Sequence, residues 1–84
     1  MEQFETGMMA RSKSGHDAGN VYVITKVEEA YVYLVDGKVR TLDKPKKKKK
    51  KHVQLIKESF DIQGATDVDI KRWIKIWNKE DNQN

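Results

Sequence analysis

The tract VYVITKVEEAYVYLVDG, residues 21–37, restricts the fold more than any other part of this chain. Val, Ile, Thr and Tyr suit a pleated, half-buried surface. VYVITKV (residues 21–27) and YVYLVD (31–36) therefore predict two strands, joined by a tight turn near Glu28-Glu29-Ala30. Asp36-Gly37 then predicts a second hairpin, because both central residues of a type I′ turn need positive φ. Val39 to Leu42 would be its returning strand. An isolated hairpin is not stable in water, so these strands must pack into something larger.

Met8 to Lys13 reads as a first strand entered after Gly7, and HVQLI (residues 52–56) as a last short one. SGHDAGN (14–20) between the first two strands is a loop, with Gly15, Asp17 and Gly19 as turn formers. Five short strands in about fifty residues predict a mainly β fold, a small SH3-like barrel whose interior is filled by alternating side chains. The C-terminal third changes character. Thr66-Asp67-Val68-Asp69 has the form of a capping box, and Ile70, Trp73, Ile74 and Trp77 follow the spacing of one apolar helical face. Lys71, Arg72, Lys75 and Lys79 fall on the other side. The expected organisation is a barrel over 1–56, a linker over 57–65, an amphipathic helix over 66–79 and a polar tail over 80–84.

At 84 residues this is one domain with a small core. Without cysteine it has neither a disulfide framework nor a thiolate metal site. No apolar run approaches a membrane span and the N-terminus lacks a signal-peptide stretch, so a soluble, cytoplasmic protein is expected. The formal charge of +4 is unevenly placed. Residues 1–43 carry −2 and residues 53–84 carry −1, while 44–52 hold seven lysines and no acid. Charge focused in this way attracts a large polyanion, and the abundant one in a cell is nucleic acid. Placed between the fourth and fifth strands, the lysine-rich loop should be anchored at both ends, extended and mobile. Lys44 and Lys46, Lys47, Lys48, Lys49, Lys50 and Lys51 are suited to phosphate neutralisation and poor at reading bases, with His52 at the strand edge.

The layout of GMMARSKSGHDAGNVYVITKV (7–27), followed by VYLVDG (32–37) and KHVQL (51–55), resembles the KOW motif of ribosomal and transcription-associated RNA-binding proteins. It is similar to the bacterial members related to an archaeal and eukaryotic large-subunit ribosomal protein family. The resemblance covers roughly residues 4–56. It implies a KOW-type barrel that binds structured RNA, most notably large-subunit ribosomal RNA, in a ribosome-associated role. It implies no enzymatic reaction. Ala18 and Asn20 stand where KOW loops are often basic, and Met8-Met9 replace β-branched residues of the first strand. From the residues themselves, Gly15 and Gly19 shape the loop, and Gly19 should take a conformation closed to residues with a Cβ. The turn should present backbone N–H groups to phosphate, with Arg11, Lys13 and His16 beside them.

Two readings of other classes stand beside RNA binding. Trp73, Ile74 and Trp77 can form a partner-docking face, if they are not buried within the monomer. A DNA-binding small barrel would use the same phosphate neutralisation. A solvated lysine loop and a nuclear address are the bland readings of PKKKKKK. Tyr22, Tyr31 and Tyr33 pose a choice between burial and stacking. His16 and His52 have no metal-ligand spacing. Asp67/Asp69 and Glu28/Glu29 read as helix-start and turn residues, and Ser12 and Ser14 have no base partner. No catalytic constellation, cofactor, small-molecule substrate or membrane surface is expected, and the chain reads as a non-enzyme.

Overall fold

The computed structural model describes residues 3–81, with side chains to Lys79. Five antiparallel strands form one sheet: β1 (Met8–Ser12), β2 (Val21–Val27), β3 (Tyr31–Val35), β4 (Lys46–Lys49) and β5 (Val53–Ser59). Their spatial order is β4-β3-β2-β1-β5. The last two strands in sequence are thus the two edges, joined by a single 3-10 turn over Lys50–His52. No ladder joins β4 to β5 among the described residues, so the small barrel-like sheet stays open along that seam. The helix α1 (Asp67–Asp81) follows.

Strand alternation sends alternate residues to two apolar clusters, one on each face of the sheet. On one face Met9, Val21, Val23 and Val35 meet Ile70 and Ile74 of α1, with Ile56, Phe60, Ile62, Trp73 and Trp77 packed at the margin. On the other, Ala10, Tyr22, Ile24, Val32, Leu34 and Val53 form a second buried cluster, flanked by Phe4, Met8, Val27 and Leu55. The helix covers the first of these faces.

The helix begins as its sequence predicts. Thr66 Oγ1 accepts from the Asp69 amide at 3.2 Å, and Asp69 Oδ2 accepts from the Thr66 amide at 3.0 Å. That reciprocal box satisfies two donors at the helix start. The helix runs two residues past Lys79, through Glu80 and Asp81, so the polar tail begins later than expected; residues 82–84 lie outside the described residues. The linker expected at 57–65 is shorter too, since Lys57, Glu58 and Ser59 belong to β5.

Two expectations fail between β3 and β4. Val39 to Leu42 is not a strand, and Asp36-Gly37 is not a type I′ pair. Gly37 has φ +80°, but among the described residues only glycines have positive φ. The Asp36 carboxylate is the reason: its Oδ1 accepts from the amides of Lys38 and Arg40, both at 2.8 Å, donors that a returning strand would need for its ladder. The chain from 36 to 45 becomes a folded loop, tied to the helix start by the Leu42 amide donating to Asp67 Oδ1 at 2.8 Å. The fourth strand is instead the lysine run itself. The mobile lysine loop expected between two strands is therefore corrected: Lys46–Lys49 pairs with β3 in the register Tyr31↔Lys49, Val32↔Lys48, Tyr33↔Lys47 and Leu34↔Lys46.

Candidate nucleic-acid interface

Placing lysines in a strand divides them. Pro45 precedes β4, a position where its missing N–H costs the ladder nothing. Along the strand, Lys46 and Lys48 share a face with Leu34 and Val32, while Lys47 and Lys49 share one with Tyr33 and Tyr31.

The inner pair is held by one acid. Lys46 Nζ lies 3.2 Å from Asp17 Oδ2, and Lys48 Nζ lies 3.1 Å from Asp17 Oδ1. Lys48 also donates to the Ser14 carbonyl at 2.9 Å. The side chains of Lys48 and Asp17 are each 10 % exposed and that of Lys46 is 26 % exposed, so the stems run along apolar surface to a shielded charge cluster. Ser12 Oγ donates to Asp17 Oδ1 at 2.9 Å, and Tyr22 Oη donates to Oδ2 at 3.3 Å. Burial alone would raise the Asp17 pKa, but the bonds from Ser12, Lys48 and Lys46 outweigh it and hold the carboxyl well below the usual carboxylate range. Burial pushes the Tyr22 phenol up, which keeps its proton on the donating side. Two lysines of the run are thereby committed to the fold.

The outer pair faces solvent. Lys47 Nζ sits 4.5 Å from the ring centroid of Tyr31 and 5.9 Å from that of Tyr33, and Lys26 Nζ sits 5.2 Å from Tyr33. Glu28 lies 3.7 Å from both Lys26 and Lys47, at distances typical of loose surface pairs. Tyr33, and next Glu28, raise the Lys47 pKa, so the ammonium stays charged throughout the neutral range. Lys44, Lys49 and Lys51 are exposed, and Lys50 is half-buried with Nζ 5.5 Å from the Phe4 ring. The result is a row of cations over a tyrosine-lined sheet face. The rings steady the ammonium groups, and their faces are partly taken by lysine.

The glycine loop keeps its expected shape but not its expected donors. Gly15 and Gly19 have φ +87° and +93°. The amides of Ala18, Gly19 and Asn20 donate to Gly15 O, Ser12 O and Asp17 O at 3.2, 2.8 and 3.0 Å, so they are used inside the loop instead of facing a phosphate. Lys13 and His16 are exposed, and His52 is half-buried with its carbonyl accepting from the Lys13 amide at 2.8 Å. Arg11 departs from its expected place beside the loop. It lies on the helix side, its guanidinium 5.5 Å from the Trp77 ring, with a buried Nε that has no hydrogen-bond partner.

Asp17 is the residue that reading the sequence missed, as a loop turn former. Of the docking residues, Ile74 is buried in the helix-side cluster. Trp73 stacks on Phe60 at 4.7 Å with an interplanar angle of 5°, and Trp77 is half-buried beneath Arg11. Among the described residues no helix is long and apolar enough to cross a membrane, and no group of three or more His, Cys, Asp and Glu side chains is placed to hold a metal. No protein-family model matches the chain, and no curated protein matches it either.

Proposed function

We propose that the protein binds structured RNA through its phosphate backbone, with large-subunit ribosomal RNA as the target. The observation that carries the reading is the outer lysine row. Lys47 and Lys49 are set on a paired strand, with exposed Lys44 and Lys51 at its ends, while Asp17 neutralises only the inner lysines. Ammonium groups spaced along a strand suit successive phosphates. The tyrosine faces already carry lysine, which favours backbone contact over base stacking. With four exposed lysines engaged, the log–log salt slope of binding is about −3.6, taking roughly 0.9 per phosphate. The KOW-like layout of residues 7–27 supports RNA as the polymer, and helical RNA is recognised largely by shape and backbone. Burial of Ile74, and the packing of Trp73 and Trp77 within the monomer, weaken the partner-docking alternative.

Sedimentation of a native-host lysate through sucrose gradients at low and high salt tests the proposal. Comigration with the large subunit, diminishing as salt rises, is the expected result. A protein that stays at the top of the gradient at low salt contradicts the ribosomal target. Competition between matched RNA and DNA duplexes decides the polymer, and preference for DNA would overturn RNA binding itself.

A further inference from the structure

A second basic surface lies across the glycine loop from the lysine strand. A shallow groove of about 650 Å³ is bounded by Gly19 and Asn20 of the loop, by Lys38 and Val39 of the 36–45 loop, and by Lys71 and Lys75 of α1. The three lysines come from segments far apart in sequence and are brought to one place by the fold. All three are exposed, and none takes part in an ion pair among the described residues. Lys71 and Lys75 stand one helical turn apart on the same side of α1. Asn20 and Asn78 add side-chain amides to the lining. The one acid there, Asp36, has an oxygen occupied by two backbone amides.

The groove is neither an apolar slot nor a simple patch of charge. Val21 and Ile74 line it, and Val39 stands at its edge 78 % exposed. At Gly19 nothing lies within 4 Å of where a Cβ would be, so the loop side is open. Ammonium donors around a small apolar surface match a nucleotide, whose phosphate takes the charge while its sugar or base lies against aliphatic carbon. An acidic peptide would satisfy the lysines and leave Val39 uncovered. The glycine loop also links the groove to the lysine strand, since Asp17, two residues before Gly19, holds Lys46 and Lys48 of β4.

We infer that this groove is a second contact for the RNA backbone, seating a nucleotide of the same RNA that the lysine strand engages. The inference rests on the proposed RNA binding and adds to it a site on the opposite flank of the loop. Lys38, Lys71 and Lys75 receive the phosphate, and Val39 contacts the sugar or base. RNA thus crosses the loop instead of ending at β4.

The test compares wild type, Lys38→Gln/Lys71→Gln/Lys75→Gln and Lys47→Gln/Lys49→Gln, titrated with a fluorescent RNA hairpin at several salt concentrations. Loss of the phosphate contact at the groove should flatten the log–log slope by about 1 and weaken binding about tenfold at low salt. The thermal melts should be unchanged, because these side chains are exposed and unpaired. In a parallel nuclear magnetic resonance titration, the hairpin should shift the amides of Gly19, Asn20, Val39, Lys71 and Lys75. If the groove variant keeps both affinity and slope while the strand variant loses them, the groove inference fails and RNA binding stands. If wild type shows no salt-dependent binding, both fail. Shifts at these amides with a poly-glutamate peptide, and none with RNA, would overturn the inference in favour of a peptide site.

Discussion

Asp17 joins a loop, two strands and two of the six lysines in the run through one carboxylate. Its replacement by Asn leaves Lys46 and Lys48 facing an amide that cannot neutralise them. Breaking a shielded charge cluster typically costs 3–5 kcal/mol; because Lys46 is a quarter exposed and lysine can swing outward, we expect about 2–3 kcal/mol for Asp17→Asn, read by urea unfolding at pH 7. The pH dependence has a definite sign. The folded-state pKa of Asp17 is depressed, so its contribution is complete above the ordinary aspartate value of about 3.9 and is lost as pH falls below it. Wild type should lose stability through that acid window, and the Asn variant should lack that component. A slope below pH 4 that is the same in both would count against the role given to Asp17. None of this was legible in the sequence, for a physical reason. Facing in a strand is read from alternation of residue type, and six identical lysines carry no alternation.

At the scale of elements, the strands over 21–27 and 31–35 and the start of the helix were legible because their local chemistry and their tertiary surroundings agree. β-branched and aromatic residues fill the sheet, and the Thr66–Asp69 box closes as its spacing predicts. The fourth strand was misplaced because Val39 and Leu42 have better strand propensity than lysine, yet propensity is a weak guide at an edge. The Asp36 side chain captured the amides of that segment, and cross-strand tyrosines with a buried acid stabilised the lysines instead. The same loop presses on the helix. A Cβ on Gly37 would collide with the Asp67 carbonyl and lie 2.9 Å from the Lys71 nitrogen, whereas one on Gly19 meets nothing within 4 Å. Both glycines have positive φ. Gly19→Ala should therefore cost only the backbone term, about 1–2 kcal/mol, and Gly37→Ala distinctly more, with helix content falling in circular dichroism. Equal losses from the two substitutions would contradict this packing of loop on helix.

For the whole molecule, the radius of gyration is 11.8 Å, close to the roughly 12 Å for a single packed body of this length. The helix is thus part of the domain, and its apolar face serves the core. That leaves the charged surfaces as the features the fold does not use. The edges of the sheet are also defended: β4 exposes a row of lysine, a strand unfit for pairing with another chain. The lysine row accordingly discourages edge-to-edge association, and under the proposed function it also meets the RNA backbone. In the glycine loop three backbone amides are spent internally. The exposed cations lie on the strand beside it. The proposed function requires that β4 be divided, with Lys46 and Lys48 serving the fold and Lys47 and Lys49 serving binding. The direct measurement is the affinity of a structured RNA hairpin, at about 0.1 M salt, for Lys46→Gln/Lys48→Gln and Lys47→Gln/Lys49→Gln, with urea midpoints taken on the same samples. The outer variant should lose about tenfold or more in affinity with its midpoint unchanged, and the inner variant should lose stability while its folded fraction binds nearly as wild type does. Equal losses of affinity with both midpoints unchanged would mean that the four lysines are interchangeable and that Asp17 does not divide them.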